Sequence, residues 1–464
     1  MAAPAATPAS PAEKLISGTI QSTGLLWIVG GLYIAGPVLG WGLAMLAFIA
    51  IYTAPNQAPA ERPPPLHPAI HLWLWGMAAM LIILIVGHLQ NELGLPKTIK
   101  SSIGWAKGWA LMALFPFAGA VLAVRPEVIY RAICRLGLQT LIVIPFFLVA
   151  PFIGLPGLLY VSPLKIVGGS GPEYFAVILY TIEPGAGTPR WQFFAPWSPA
   201  AGMIAVVHIL CAIEEKNLKW KAIGIVAGLM LALLSQSRLA LVALAIVWPT
   251  AYGVSRLREA WVWFAAAPAV LGLGMLAPQL QALADHAIYK FTSARADSSR
   301  VRAALGRIAT DRWRNEAPWF GHGIVERGPH LVEYMPIGSH HTWFGLLFVK
   351  GLTGAVALII PMVASFWMAG RLSLRDPVGR VALSMLLLLT LYSFGENLEI
   401  LAYLYWPALF LVGIAARRAS QAYGAPPGAS RQANAPSIIR VYGPCLAAKP
   451  PWKQDVSIET VPRP

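Results

Sequence analysis

Apolar runs approaching the ~20 residues needed to cross a bilayer as a helix recur along the chain, separated by short polar or Pro/Gly-rich stretches. Residues 15–52 hold too many apolar positions for one crossing, so a helical hairpin is expected, broken at Gly36 and Pro37. Further spans are expected over 70–88, 102–123, 136–153, 200–213, 222–234, 239–252, 261–276, 344–368, 381–394 and 401–415. The segments APNQAPAERPPPLHP, NELGLPKTIK and RPEVIYRAICR read as loops between the early spans, the last of them basic. The pattern predicts an all-α polytopic membrane protein of about twelve transmembrane helices with both termini inside. Most inner loops (RPEVIYRAICR, EEKNLKWK, SRLREAW, RLSLRDPVGR) are basic, as the positive-inside rule requires.

Two long interruptions then fall on the outer face. One, 154–199, is rich in Gly, Pro and aromatics that suit a membrane–water interface. The other, 278–341, is the large polar loop and is expected to carry short helices. The organisation is thus a disordered N-terminal tail over 1–14, spans one to nine over 15–277, the large loop, spans ten to twelve over 342–418, and a Pro/Gly/Ala/Ser-rich tail over 419–464 expected to be disordered.

Composition narrows the class. The 464 residues are 57% hydrophobic and only 12% charged, where a soluble protein carries roughly a quarter charged residues. A net charge of +15 would suggest nucleic acid in a soluble chain; here basic inner loops account for much of it, and no nucleic-acid partner is expected. Cys134, Cys211 and Cys445 show neither metal-ligand spacing nor a disulfide framework. The N-terminus lacks a basic stretch before its first apolar run, so the first helix is expected to be its own anchor.

Candidate chemistry concentrates outside. The large loop holds eight Lys and Arg residues and the pair His340 and His341, suited to a phosphate-bearing ligand or else simply solvated. Arg238 ends SQSR between two spans, where an arginine near mid-bilayer costs about 2.5–3.5 kcal/mol; it either holds an anion or snorkels to the interface. Lys107, one turn into the fourth expected span, has the same two readings. DSSRVRAALGRIATDRW reads as a helix opening at Asp297 or Ser298, with Arg300 and Arg307 on one face and Arg302 on another. Guanidinium groups and a helix N-terminus both bind phosphate oxygens. His340 and His341, just before a descending span, are either structural or a general base near neutrality. PWFGHG reads as a tight turn, and Glu396 and Glu399 as counter-ions to the arginines or a second acid/base. Nothing resembles a nucleotide-binding loop or a metal-spaced carboxylate pair.

Taken together, SQSRLALVALAIV, then SSRVRAALGRIA and PWFGHG, then SHHTWFGLLFVKGLTG, resemble the bacterial O-antigen ligase and O-antigen polymerase family. That family's pattern is Ser-Arg opening a span, an Arg-led loop helix, a Pro-x-x-Gly-x-Gly turn and His-Asn before a descending span. The resemblance covers roughly residues 190–355 and implies an inner-membrane, multi-pass glycosyltransferase. Its partners would be an undecaprenyl-diphosphate-linked glycan donor, a saccharide or lipid-linked saccharide acceptor, and membrane lipids, with no metal or nucleotide cofactor. It implies catalytic roles for Arg238, Arg300 and His340 and substrate-binding roles for Arg302, His341, Arg190 and Lys107. SSRVR aligns on either Arg300 or Arg302. His341 stands where the family has Asn, and Ser198 and Pro199 where Pro-Asn is expected. The aromatics Trp191, Phe193, Phe194 and Trp197 suit stacking of a sugar chain, which leans the reading to polymerase over ligase. A transporter or flippase of an anionic lipid-linked sugar would also use arginines, but such sites lie near mid-membrane and often in repeats.

Overall fold

The computed structural model describes residues 9–59, 62–169, 171–183, 187–293 and 296–424, with side chains left out at 284, 287–293, 296–299 and 423–424. The described residues are 74% helical. In order come α1 (Pro11–Gln21), α2 (Thr23–Ile28), α3 (Leu32–Thr53), α4 (Pro68–Gln90), α5 (Leu95–Lys107), α6 (Leu111–Val121), α7 (Pro126–Val149) and α8 (Ser198–Ile213). Then follow α9 (Leu218–Leu234), α10 (Arg238–Ser255), α11 (Ala260–Met275), α12 (Ala277–Ser293), α13 (Ala296–Glu316), α14 (Thr342–Ser373), α15 (Pro377–Ser393) and α16 (Leu398–Gly424). The described residues up to Ala422 form one compact unit; of the second, Tyr423–Pro464, only the end of α16 is described.

Each expected span falls on a helix, but among the described residues only six helices are long and apolar enough to cross a membrane: α3, α4, α7, α10, α14 and α16. A seventh arises if α11 and the first part of α12, bent by 72°, count as one. The other runs form shorter helices: α6 has 11 residues, α8 16, α9 17 and α15 17. Helix α16 is the central post, with 89% of its apolar window buried against 22% for α10. Small residues let α16 and α6 approach: a Cβ on Gly413 would lie 2.1 Å from the Pro116 carbonyl oxygen, and one on Gly119 2.2 Å from that of Phe410. Close approach through small residues is how membrane helices gain packing where lipid offers no hydrophobic drive.

Several boundaries differ from expectation. The first hairpin breaks at Gly30 and Gly31, with Pro37 inside α3. Gly30 takes φ 71, and the Gly30 and Gly31 amides close α2 onto Trp27 and Leu26 carbonyls, a glycine stop of the usual helix-ending kind. The fourth run is broken at Gly108 into α5 and α6. RPEVIYRAICR is helix rather than loop, because Pro126 sits at the first position of α7, where its missing N–H costs nothing. Helix α1 starts inside the expected N-terminal tail: Ser10 and Glu13 form a reciprocal capping box. The 154–199 loop carries two small antiparallel hairpins, β1 (Leu158–Val161) with β2 (Ala176–Ile178) and β3 (Thr181–Ile182) with β4 (Pro189–Arg190). Helix α16 runs through Arg418 to Gly424; the rest of the expected C-terminal tail, with Cys445, lies outside the described residues, as do residues 1–8.

Candidate functional site

The start of α14 and the turn between α15 and α16 are knitted together. His341 caps α14, its Nδ1 accepting from the Phe344 amide at 3.3 Å, while its ring stacks on Phe344 at 3.9 Å. The Thr342 amide and hydroxyl donate to the Glu396 carbonyl at 3.1 and 2.7 Å, and the Leu398 amide donates to the Thr342 hydroxyl at 3.0 Å. The His341 amide donates to the Asn397 side-chain oxygen at 3.3 Å. His341 is thereby committed to holding the helix start. His340, one residue earlier, carries φ 59, a left-handed conformation rare outside glycine and frequent at functional sites.

Glu396 is 1% exposed, and its carboxylate accepts the Trp197 indole N–H at 3.0 Å. Trp197 is the residue from which α8 starts, so three elements meet here. Helix α13 supplies the charge. Its stripe of Val301, Leu305 and Ala309 is buried against 330–337 and α14, with Gly306 against the Phe344 ring. At about 100° per residue, Arg302 projects within about 20° of Ala309, while Arg300 and Arg307 lie on the opposite edge. Arg302 accordingly acts on both neighbouring groups. Burial, seconded by Arg302, pushes the His340 imidazole down to about 4. Burial pushes Glu396 up to about 7, against Arg302 and the Trp197 hydrogen bond. Burial likewise lowers His341 to about 4. His340 is therefore a neutral imidazole near pH 7, able to accept a proton.

The SQSR turn adjoins this cluster. Arg238 is the first residue of α10, whose cap is the Ser237 hydroxyl, and Leu239 lies against Gly395, beside Glu396. The Arg190 guanidinium pairs with Glu183 and reaches the Ser235 carbonyl at 3.5 Å, while the Gln236 amide donates to the Pro189 carbonyl at 3.3 Å. Arg190, Arg238, Arg302, His340 and Glu396 thus gather at one end of the bundle. Arg300 is on the same helix as Arg302, and both are exposed. Lys107 makes its contacts elsewhere: its ammonium donates to the Val167 and Gly168 carbonyls at 3.3 and 3.1 Å, tethering the 154–199 loop to α5.

PWFGHG has a role beyond that of a tight turn. Helix α14 is interrupted at Gly351, at φ 66 and ψ −166, which frees carbonyls on the preceding turn. The His322 and Gly323 amides bond those of Phe348 and Val349 at 2.9 Å each, and the Leu352 amide bonds the Pro318 carbonyl at 2.9 Å. His322 also stacks on Phe348 and contacts Glu316 at 2.7 Å. The segment is a staple across the break and fixes the floor under the loop. Two aromatics of the 154–199 loop are spent similarly. Trp191 and Phe193 are buried in the core, and the Trp191 indole donates to the Phe147 carbonyl. These two offer no stacking surface, whereas Phe194 and Trp197 are half-buried.

No protein-family model matches the chain, and no curated protein is significantly similar to it.

Proposed function

We propose that the chain is an inner-membrane glycosyltransferase that moves a glycan from undecaprenyl diphosphate to a sugar hydroxyl, a polymerase or ligase of surface polysaccharide. In this reading its twelve helical runs span or pack within the bilayer, both termini are cytoplasmic and the 278–341 loop faces the periplasm. The observation that carries it is the convergence of a neutral imidazole, His340, with the Arg302 charge and the buried Glu396, beside the arginine-led start of α10.

The chemistry assigns itself by group. His340 accepts the proton of the acceptor hydroxyl as its oxygen bonds the anomeric carbon. The bond from that carbon to the diphosphate oxygen breaks, and the departing anion gains charge. Arg238 and Arg302, with Arg300 at the rim, stabilise that charge through forked hydrogen bonds. Glu396, buried and held by the Trp197 indole, lies within the field of Arg302 and tethers the α15–α16 turn to the start of α8. His341 holds the α14 start that carries His340.

Purified protein in detergent, given a lipid-diphosphate-linked oligosaccharide and an acceptor sugar, should form a longer glycan and release undecaprenyl diphosphate. A preparation that is inactive there yet moves the same lipid across vesicles would establish the transporter reading instead. The acceptor is decided in cells: single repeat units after gene deletion mark a polymerase, and full-length polymer left on its lipid carrier marks a ligase.

A further inference from the structure

The other end of the bundle carries a cleft of about 1110 Å³ between α1, the start of α7 and the turn from Glu215 to Asn217. Helix α8 separates it from the His340 site: Trp197 lies at one end of that helix and Glu214 and Glu215 at the other. Its 16 residues place the two roughly 24 Å apart. Three ion pairs build the walls, and each leaves its cation more exposed than its carboxylate. Arg125 holds Glu13 at 2.8 Å with side-chain exposures of 45% and 3%; Arg131 holds Glu215 at 2.7 Å with 33% and 5%. Lys216 holds Glu127 at 3.0 Å with 80% and 45%. Lys14 and Arg135 also line the cleft and form no ion pair among the described residues. Five cations face three carboxylates, two of which are buried behind their partners, so the presented surface is positive.

The rim is apolar. Leu15 on α1 and Leu218 at the start of α9 are exposed, and Trp220 lies under Arg131 at 5.5 Å, a residue type that settles at the headgroup level. A cationic cleft with exposed leucines and a tryptophan beside it fits an amphiphile better than a water-soluble anion. We propose that this cleft binds the phosphate headgroup of an anionic phospholipid, whose acyl chains lie in the bilayer beside α1 and α9. The site is independent of the transfer chemistry proposed above.

The test uses the full chain in a neutral detergent, with phosphatidylglycerol or phosphatidylcholine added and retained lipid counted by native mass spectrometry. Wild type should retain phosphatidylglycerol selectively, and the Lys14→Gln/Arg135→Gln double variant should lose that preference by roughly tenfold. A charge-keeping Lys14→Arg/Arg135→Lys variant should retain it, which separates lost charge from lost fold. Equal retention of the two lipids by wild type, or an unchanged preference in the double variant, overturns the site. Competition by inorganic pyrophosphate as effective as that by phosphatidylglycerol also overturns it, and points to a soluble anion.

Discussion

The two ends of α8 bury carboxylates in opposite ways. At the Glu215 end, the buried and half-buried acids meet cations: Glu13 with Arg125, Glu215 with Arg131, Glu214 with Arg380 at 2.7 Å, Asp376 with Arg418 at 2.9 Å and Glu127 with Lys216 at 3.0 Å. Burial there works to raise the Glu215 pKa, but hydrogen bonds from Arg131 and the backbone outweigh it and hold the group below its ordinary range. At the Trp197 end, Glu396 is as deeply buried, receives an indole N–H, and forms no ion pair among the described residues. Burial then wins and pushes it up to about 7. An acid buried without an ion-pair partner is costly, and this sets Glu396 apart from the paired acids at the other end. The acids at the other end behave as structure.

The sharpest break in this comparison is His340→Ala. It should lower kcat/KM for transfer by about 10²–10⁴-fold, the usual contribution of a positioned base, with expression and melting temperature unchanged. His341→Ala should instead lower the melting temperature by loosening the α14 cap, at a cost of about 1 kcal/mol. Full activity in His340→Ala alongside a dead but stably folded His341→Ala would reverse the two assignments.

Next comes Arg238→Lys. Lysine keeps the charge and loses the fork that grips two phosphate oxygens, so a loss of roughly 100-fold in kcat/KM is expected, the low end for one transition-state donor. Unchanged turnover and donor affinity would remove Arg238 from the diphosphate site. At the opposite end the expectation inverts. Arg131→Ala leaves Glu215 buried without its partner and should destabilise the fold by about 2 kcal/mol, discounted because Arg131 is partly exposed; transfer by the folded fraction should persist. Lost turnover without lost stability in that variant would erase the contrast between the ends.

How much of the molecule is legible in its sequence follows from what each feature depends on. Apolar runs mark helices because burying a backbone in lipid forces internal hydrogen bonding, and all twelve runs are helical. Helix length and break points are less legible. Pro37 is tolerated inside α3 while Gly30, with its left-handed φ, makes the stop, and the two are alike as sequence signals. The histidine pair stands out from the order of residues alone. Which imidazole is free for chemistry depends on the α14 cap, a contact three residues away. Choosing Arg302 over Arg300 needs the edge of α13 that faces α14, and this is set by Val301, Leu305 and Ala309 packing on residues distant in sequence. Composition cannot tell an interface tryptophan from a core one such as Trp191.

The smallest expected effect discriminates most finely, because it reads Arg302 through its neighbour. His340 is held down to about 4 by burial first and by the Arg302 charge second. An imidazole must be neutral to accept a proton, so kcat/KM of the free enzyme should be flat near neutrality and fall only as pH drops toward that value. Removing a nearby positive charge makes imidazolium easier to form. Arg302→Gln should therefore move the acid limb of the profile to higher pH, on top of any overall loss from weaker donor binding. The sign is fixed: a guanidinium can only oppose protonation of its neighbour. Arg300→Gln, on the other edge of α13, should lower activity without moving the limb. A limb that shifts in Arg300→Gln and stays put in Arg302→Gln would mean that α13 presents its other edge to His340.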